Sequence, residues 1–262
     1  MTGSVEVVYR GIFQKHLGQR ITRGIVLAAR QEGKIGISFG RYGDSPERNG
    51  IPAKSFAVVA DSEEELQAHL ARYEPKDNDV TVAVDDTLCK GVESWAWYGL
   101  QPINKLTRDG GTVLVTSMQS ADALLRDCHR KGATWNLAIV KGLASFSGLW
   151  VYKDDHTDVR LLGAIARLAP SVVGLEAVKA AIRAEWGDER KVASAELGYD
   201  RVERRPVGPD EGNPERPYEF QLLKWQEMKE GLVIPGIPVR KEVEGWDGGY
   251  RPGRNPTFKK FS

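Results

Sequence analysis

Six short apolar runs, separated by longer segments of mixed polarity, constrain the fold of this 262-residue chain more than any other feature. Each run is rich in Val, Ile, Leu or Phe and is too short for a helix, so each is predicted to form a β-strand. The runs are VEVVY (5–9), KIGISF (34–39), KSFAVVA (54–60), VTVAV (80–84), TVLVT (112–116) and NLAIV (136–140). Nearly continuous apolar strands of this kind are typical of sheets that are covered on both faces.

Helical patterns occupy several of the intervals between these runs. The segment SEEELQAHLARY begins with Ser62 and carries Glu65 three positions later, which is a capping box. A second helix is predicted from Ser120 to Gly132, and two helices separated at Pro170 follow the last strand. The alternation predicts an α/β fold, a Rossmann-like and mostly parallel sheet with helices on both faces.

The composition changes near residue 203. Eight of the 13 prolines lie from Pro206 onward, so we expect neither regular sheet nor a long helix in that part of the chain. The same part holds seven aromatic residues, more than a solvated linker needs: Tyr218, Phe220, Trp225, Trp246, Tyr250, Phe258 and Phe261. We therefore predict an α/β domain over residues 1–203 and an extended arm over 204–262 that packs on another surface, with plain disorder as the alternative.

Charge and cysteine content exclude several classes of protein. A net charge of +1 and a pI near 7.7 give no strong field that would attract nucleic acid or an anionic membrane surface. We see neither a secretion signal nor an apolar run of the ~18 residues that cross a bilayer, and we expect a soluble cytoplasmic protein. Cys89 and Cys128 are far apart and form no C-x-x-C motif, so we expect this chain to hold no metal ion and no iron–sulfur cluster.

The stretch YRGIFQKHLGQRITRG (9–24) stands where dinucleotide-binding folds place a glycine-rich loop between the first strand and the first helix. Such a loop needs G-x-G-x-x-G so that its backbone can approach a pyrophosphate, and Gly11, Gly18 and Gly24 are too widely spaced for that. We do not expect a nicotinamide dinucleotide site. We predict instead a loop that presents side chains, and no catalytic residue is evident.

Several motifs follow one another in a fixed order. After the first strand comes the stretch just quoted; GDSPERNGIP follows the second strand, and VRLLGA and LGY lie near residues 160 and 198. In this order the chain resembles the gamma subunits of 2-oxoacid:acceptor oxidoreductases, the family of pyruvate:ferredoxin oxidoreductase. Those subunits carry G-x-G-G-Q-G, then G-P-E-R-R-G-x-P, then N-x-x-x-L-G-A. This chain keeps Gln14 of the first motif and Pro46, Glu47, Arg48, Gly50 and Pro52 of the second, while most glycines of the first and the asparagine of the third are missing.

The resemblance implies a function for the chain within a multi-subunit enzyme. The family oxidises and decarboxylates a 2-oxoacid in the presence of coenzyme A, giving an acyl-CoA and CO2. Thiamine diphosphate would lie on alpha and beta subunits, iron–sulfur clusters would lie on partner subunits, and the arm is similar to the start of the small delta subunit. Within the family, the NADH-dependent phenylglyoxylate dehydrogenases are the suggested branch. This chain would be a non-redox subunit that covers the active site and helps to bind coenzyme A.

The resemblance also suggests which residues contact coenzyme A, since basic side chains beside an amide-rich loop suit its phosphates. The candidates are Gln14, Lys15, His16, Arg20 and Arg48. Each has an ordinary structural alternative: the arginine of PERNG can bond local carbonyls in a turn, and the basic pair after Gln14 can simply be solvated.

Other polar residues are ambiguous from the sequence. Asp85 and Asp86 follow a buried strand and would lie at the carboxyl edge of a parallel sheet, where ligands gather, yet we favour a role in capping the next helix. His69 and His129 lie in amphipathic helices, and we interpret both as structural. A stand-alone α/β protein that binds a nucleotide or coenzyme stays open as a second hypothesis.

Overall fold

The computed structural model describes residues 2–41, 52–70, 75–90, 92–93, 100–101, 103–126, 128, 134–143 and 155–211. The helices are α1 (Gly11–Gln31), α2 (Glu63–Leu70), α3 (Ala121–Leu125), α4 (Thr157–Leu168), α5 (Leu175–Trp186) and α6 (Glu189–Arg201), with a 3-10 helix at Asp86–Lys90. The strands are β1 (Gly3–Arg10), β2 (Ile35–Arg41), β3 (Pro52–Ala60), β4 (Asn78–Ala83), β5 (Val92–Glu93), β6 (Leu100–Gln101), β7 (Thr107–Ser117), β8 (Trp135–Lys141) and β9 (Glu203–Val207). All six predicted strands are confirmed.

Seven strands form one sheet in the order β2-β3-β1-β4-β7-β8-β9. Strands β1, β4, β7 and β8 are parallel neighbours, while β3 and β9 run antiparallel to the strands beside them. Because β2 is antiparallel to β3, it points the same way as the four central strands, and only β3 and β9 run the other way. The prediction of a mostly parallel α/β sheet is confirmed.

Both faces of the central strands are buried. Tyr9 faces α1, because a methyl group on Gly18 would lie 2.5 Å from the tyrosine ring, and α1 in turn packs on α4 and α5. On the other face, the register aligns Glu6, Thr81 and Val113 across three strands, and all three are fully buried. Helix α2 packs on β2 and β3, and α3 packs on β8.

Close helix contacts depend on glycines. A methyl group on Gly163 of α4 would lie 1.8 Å from the backbone oxygen of Ala195, and one on Gly198 of α6 would lie 2.0 Å from the backbone oxygen of Arg160. Helices α4 and α6 therefore meet backbone to backbone. The L-G-A and L-G-Y motifs that carried the sequence resemblance are thus explained here by helix packing, because only glycine leaves room for this crossing.

The helix boundaries follow the predicted signals where those residues are described. The amide of Glu65 donates to the hydroxyl of Ser62 at 3.3 Å, and the amide of Ala123 donates to the hydroxyl of Ser120 at 3.3 Å. Helices α4 and α5 are separated around Pro170, as predicted. Gly132, the predicted end of the α3 segment, lies outside the described residues.

The expectation that no sheet forms after residue 203 is wrong for the first few residues. Strand β9 pairs antiparallel with β8, and Pro206 stands opposite Asn136. An edge strand accepts proline because one side of its backbone has no strand to pair with. The sheet therefore continues to Val207, past the predicted boundary. Residues 212–262, which make up most of the predicted arm, lie outside the described part of the chain.

No helix in the described ranges is long and apolar enough to span a membrane.

Candidate functional site

The carboxyl ends of β1, β4, β7 and β8 meet at one edge of the sheet. After β1 the chain passes through α1 to β2 and β3 on one side of β1, and then through α2 to β4 on the other side. The β1–β4 boundary is therefore the point at which the strand order reverses direction. In α/β folds with parallel strands, this crevice is the usual ligand position, so the site is built from residues that follow β1 and β4.

The predicted loop after β1 does not exist. Strand β1 ends at Arg10 and α1 begins at Gly11, which takes a φ of 38° and turns the chain directly into the helix. Glycine adopts this conformation at little steric cost, so no loop is needed. The glycines at 18 and 24 are instead packing positions, against Tyr9 and Leu162 respectively. The candidate residues at positions 14 to 20 are consequently helical and point to different sides of α1.

Gln14 lies at the strand reversal point. Its side-chain oxygen accepts from the backbone amide of Arg10 at 2.7 Å, and its side-chain nitrogen donates to Oδ2 of Asp85 at 3.0 Å. The residue is 1% exposed. Gln14 therefore links the start of α1 to the end of β4 at the crevice between β1 and β4.

Asp85 caps the 3-10 helix that follows β4, as the sequence favoured. Its Oδ1 accepts from the backbone amide of Thr87 at 2.9 Å and also from the Thr87 hydroxyl, while its Oδ2 lies 3.6 Å from Nε of Arg10. Arg10 donates from Nε and Nη2 to the same hydroxyl, at 2.9 and 2.6 Å. The buried Asp85 carboxylate thus contacts both the Arg10 guanidinium, at the end of β1, and the side-chain amide of Gln14 on α1. It therefore connects the residues that follow β4 with those that follow β1.

Asp86 has a different role from the one predicted. Its Oδ2 accepts from the hydroxyl of Ser117 at 2.6 Å and from the side-chain amide of Gln119 at 3.1 Å. Because Ser117 ends β7, Asp86 ties the carboxyl end of β4 to that of the next strand. Lys141, at the end of β8, donates to the backbone oxygen of Gln119 at 2.9 Å. Polar contacts therefore connect the carboxyl ends of β4, β7 and β8.

The basic candidates on α1 differ in exposure and in their partners. Lys15 is partly buried and His16 is exposed, both in the first turns of the helix. Arg20 lies one turn after His16, and its side chain is already engaged: its Nε lies 2.9 Å from Oδ2 of the fully buried Asp158 on α4, and its guanidinium lies over the ring of Trp186 at 5.4 Å. The structure therefore gives Arg20 a packing role between α1 and α4.

Arg48 lies outside the described residues, as does the whole PERNG segment. Pro52, four positions later in the sequence, pairs with Arg10 at the start of β3. The chain therefore re-enters the sheet beside the start of α1. His69 lies in α2, where it is partly buried, and His129 is outside the described residues.

Sequence reasoning missed a buried polar chain on the sheet face away from α1. Nζ of Lys54 lies 2.5 Å from Oε1 of Glu6, Oε2 of Glu6 accepts from Thr81 at 3.1 Å, and Thr81 accepts from Thr107 at 2.9 Å. All four residues are buried. The available signal was a glutamate inside VEVVY and a lysine at the start of KSFAVVA, since buried charges normally occur in pairs.

The two cysteines, distant in sequence, contact each other. A hydrogen bond with Cys128, together with burial and the charges of Asp86 and Asp85, raises the pKa of the Cys89 thiol well above its ordinary value. Both thiols are free and buried. A protonated buried thiol is a poor nucleophile, so the pair has the character of core packing and not of a reactive site. Among the described residues, no group of three or more His, Cys, Asp or Glu side chains is arranged to hold a metal ion.

Two solved structures share this fold over nearly their whole length, whereas no protein-family model matches the chain. One is the pyruvate oxidoreductase subunit PORC of Thermotoga maritima, with a TM-score of 0.54 and 18% identity, covering 78% of this chain and 98% of that subunit. The other is the gamma subunit of a keto/oxoacid ferredoxin oxidoreductase of Geobacter sulfurreducens, with a TM-score of 0.50 and 15% identity, covering 77% and 96%. At these identities the likeness establishes the fold. The chain therefore has the fold of the gamma-type subunits of 2-oxoacid:ferredoxin oxidoreductases, as the order of its sequence motifs indicated.

Proposed function

We propose that this chain is the non-redox gamma-type subunit of a thiamine diphosphate-dependent 2-oxoacid oxidoreductase. The observation that carries the proposal is the shared fold over 98% of the Thermotoga maritima pyruvate oxidoreductase subunit, with the sequence motifs in the matching order. The complex would convert a 2-oxoacid and coenzyme A to an acyl-CoA and CO2 in the cytoplasm, and the two electrons released would pass to an acceptor.

By the sequence resemblance, we assign thiamine diphosphate and the iron–sulfur clusters to alpha-, beta- and delta-type partner subunits. The part left for this chain is to contact coenzyme A and to cover the active site from one side.

Within the site we give the candidate residues separate roles. Lys15 and His16, in the first turns of α1, would contact the phosphates of coenzyme A together with Arg48, because a helix start and basic side chains both favour anions. Gln14 would hold the start of α1 against β4 through its bond to Asp85. Arg20 would fix α1 on α4 through its ion pair with Asp158.

The test is to replace Lys15 and Arg48 by Ala, singly, in the assembled complex. Losing one charge-assisted contact of about 1.5–3 kcal/mol should raise the KM for coenzyme A roughly ten- to a hundredfold, with the KM for the 2-oxoacid unchanged. Arg23→Ala is the matched control, since Arg23 lies on the same helix and pairs with Glu185 at the surface. An unchanged coenzyme A dependence in both variants would show that coenzyme A is bound elsewhere.

We propose phenylglyoxylate as the first substrate to assay, with NAD and ferredoxin as alternative acceptors, because the sequence resemblance suggests that branch. Supplying the purified complex with pyruvate, 2-oxoglutarate and phenylglyoxylate in turn, each with coenzyme A, measures the preference. Faster acceptor reduction with an aliphatic 2-oxoacid would remove the aromatic assignment and leave the proposed reaction class intact.

The second hypothesis is a stand-alone coenzyme-binding protein, and the C-terminal segment distinguishes the two. If residues 204–262 contact partner subunits, with Trp225 and Trp246 as buried anchors, truncation after Glu211 should release the chain from the complex. That cut leaves β9 in place, so the sheet should stay folded. Full co-purification of the truncated chain would contradict this role for the arm, and a chain that purifies alone with a bound coenzyme would favour the second hypothesis.

A further inference from the structure

The two edges of the seven-stranded sheet differ in how well they are protected against pairing with another molecule. At one edge lies β9, a short strand that carries Glu203, Arg204, Arg205 and Pro206. Charged side chains and proline on an edge strand discourage pairing with a further strand. At the other edge lies β2, in which residues 35–40 are uncharged and include no proline. The edge formed by β2 is therefore the less protected of the two.

Strand β2 presents a regular outer edge. It pairs with β3 along its whole length, from Ile35 opposite Ala60 to Arg41 opposite Lys54, without a shift in register. No strand in the described ranges pairs with its other side. Ile37, near the middle of the strand, is 41% exposed. A straight, uncharged edge with an exposed apolar side chain is a template for the addition of another strand.

The two faces of β2 differ in the size of their side chains. Gly36 faces α1, because a methyl group there would lie 3.5 Å from Cγ2 of Val26. Since successive residues of a strand alternate between faces, Ile37 and Phe39 lie on the opposite face. There the ring of Phe39 stacks on Phe56, with centroids 5.4 Å apart. Strand β2 therefore has an apolar side and, towards α1, a side of two glycines and a serine.

A second copy of β2 fits this edge in antiparallel orientation. Ser38 is the middle residue of the strand, so the register that pairs all seven residues places Ser38 opposite its own counterpart. The same register places Ile37 of each copy opposite Phe39 of the other, and Gly36 opposite Gly40. A β-branched residue opposite an aromatic one is a favourable cross-strand pair. The contact is made twice, because two-fold symmetry repeats every interaction.

The charges of β2 are compatible with this pairing. Arg41 is the charged residue of the strand, and it would lie opposite Ile35 of the other copy. Lys34, just before the strand, lies 2.9 Å from Oε2 of Glu32 and donates to two backbone oxygens. Like charges directly opposite one another destabilise a sheet, and none meet within the paired strands. A strand of another protein would not require β2 to be complementary to itself in this way, so the observation favours a second copy of this chain.

We propose that β2 is a dimerisation edge, at which two copies of this chain join their sheets by antiparallel pairing of residues 35–41. Ile37 of each copy is then covered by Phe39 of the other. A single paired edge buries little surface, so the expected dissociation constant lies in the micromolar range. The inference does not depend on the proposed function, because it concerns the sheet alone.

Sedimentation velocity of the full chain over a micromolar concentration series measures the association. We expect a reversible equilibrium between monomer and dimer. Ile37→Lys should weaken the dimer by about tenfold or more, because it places two like charges at diagonal positions of the paired edge. Met118→Lys is the matched control and should associate like the wild type, since Met118 is 63% exposed and lies just after β7, away from β2 in the sheet. Melting curves verify that each variant is folded.

Ser38→Cys gives an independent test of the register. Opposite residues of antiparallel strands have Cα atoms roughly 4.5–5.5 Å apart, which a disulfide can span. Under mild oxidation the two introduced thiols should therefore cross-link the copies, whereas Met118→Cys should cross-link far more slowly. The native cysteines are buried and should not contribute.

Three results would overturn the proposal. The first is a full chain that is monomeric throughout the concentration series, even if another protein then proves to bind at β2. The second is a folded Ile37→Lys variant that associates like the wild type. The third is a Ser38→Cys variant that cross-links no faster than Met118→Cys.

Discussion

Replacing Arg20 by Ala is expected to destabilise the α/β domain while leaving the dependence on coenzyme A unchanged. The Nε of Arg20 lies 2.9 Å from Oδ2 of Asp158, whose side chain is 0% exposed. The other carboxylate oxygen of Asp158 accepts from the amide of Val159 at 2.8 Å. Without the guanidinium, Oδ2 would be a buried negative oxygen that has lost its counter-charge.

The expected loss of stability in R20A follows from the exposure of Arg20 and Asp158. Removing one member of a buried ion pair costs about 3–5 kcal/mol. Arg20 is 26% exposed, so water can enter part of the space it leaves, and we expect the lower end, about 3 kcal/mol. The lost stacking on Trp186 is small beside this. For a domain of this size, the loss corresponds to a fall in Tm of roughly 6–12 °C.

The assay is thermal or urea unfolding of four proteins: wild type, R20A, D158N and the double variant. The amide of D158N removes the buried charge, so the double variant should be more stable than R20A alone by about 1–2 kcal/mol. Arg23→Ala is the control, because its pair with Glu185 is exposed and should contribute less than about 1 kcal/mol.

Two results would refute the reasoning. One is an R20A protein that melts within about 2 °C of the wild type, which would mean that the buried carboxylate finds another counter-charge. The other is a stable R20A complex with a raised KM for coenzyme A, which would return Arg20 to the ligand contacts that the sequence suggested.

Three further outcomes are expected elsewhere in the fold. Gly163→Ala should leave little folded protein by circular dichroism, because its methyl group would lie 1.8 Å from a backbone oxygen of α6; soluble protein with a native melting curve would disprove the close crossing. Cys89 and Cys128 should react with a thiol reagent only as fast as the protein unfolds, since the pKa of Cys89 is raised, and rapid labelling of the native chain would contradict this. Hydrogen bonds from Arg190 lower the pKa of Asp188 to about 2, so its stabilisation of α6 is present above the ordinary value of 3.8 and is lost as the pH falls towards 2. Asp188→Asn should remove that part of the dependence of Tm on pH, and an unaltered profile would count against the cap.

Local chemistry was sufficient to predict most of the secondary structure. Short β-branched runs gave the six main strands, and Ser62 and Ser120 marked helix starts, because strand burial and capping depend on neighbouring residues in the sequence. The α/β class followed from their alternation. The capping role of Asp85 was also favoured beforehand, since an aspartate directly before a helical turn has few other nearby partners.

The side-chain contacts at the site could be identified only from the tertiary structure. Whether Arg20 contacts a ligand or Asp158 depends on where α4 packs, and α4 lies more than 130 residues later in the sequence. Sequence patterns around Arg20 do not show that the two residues are close in space. The same holds for Gln14, whose partner Asp85 is on another strand, and for Pro206, which lies in a strand only because β8 has a free edge to pair with. The sequence by itself thus determined six of the strands, most of the helices and the class of fold. Only three-dimensional packing decided which polar groups neutralise one another, because electrostatic pairing depends on distance in space and not on spacing along the chain.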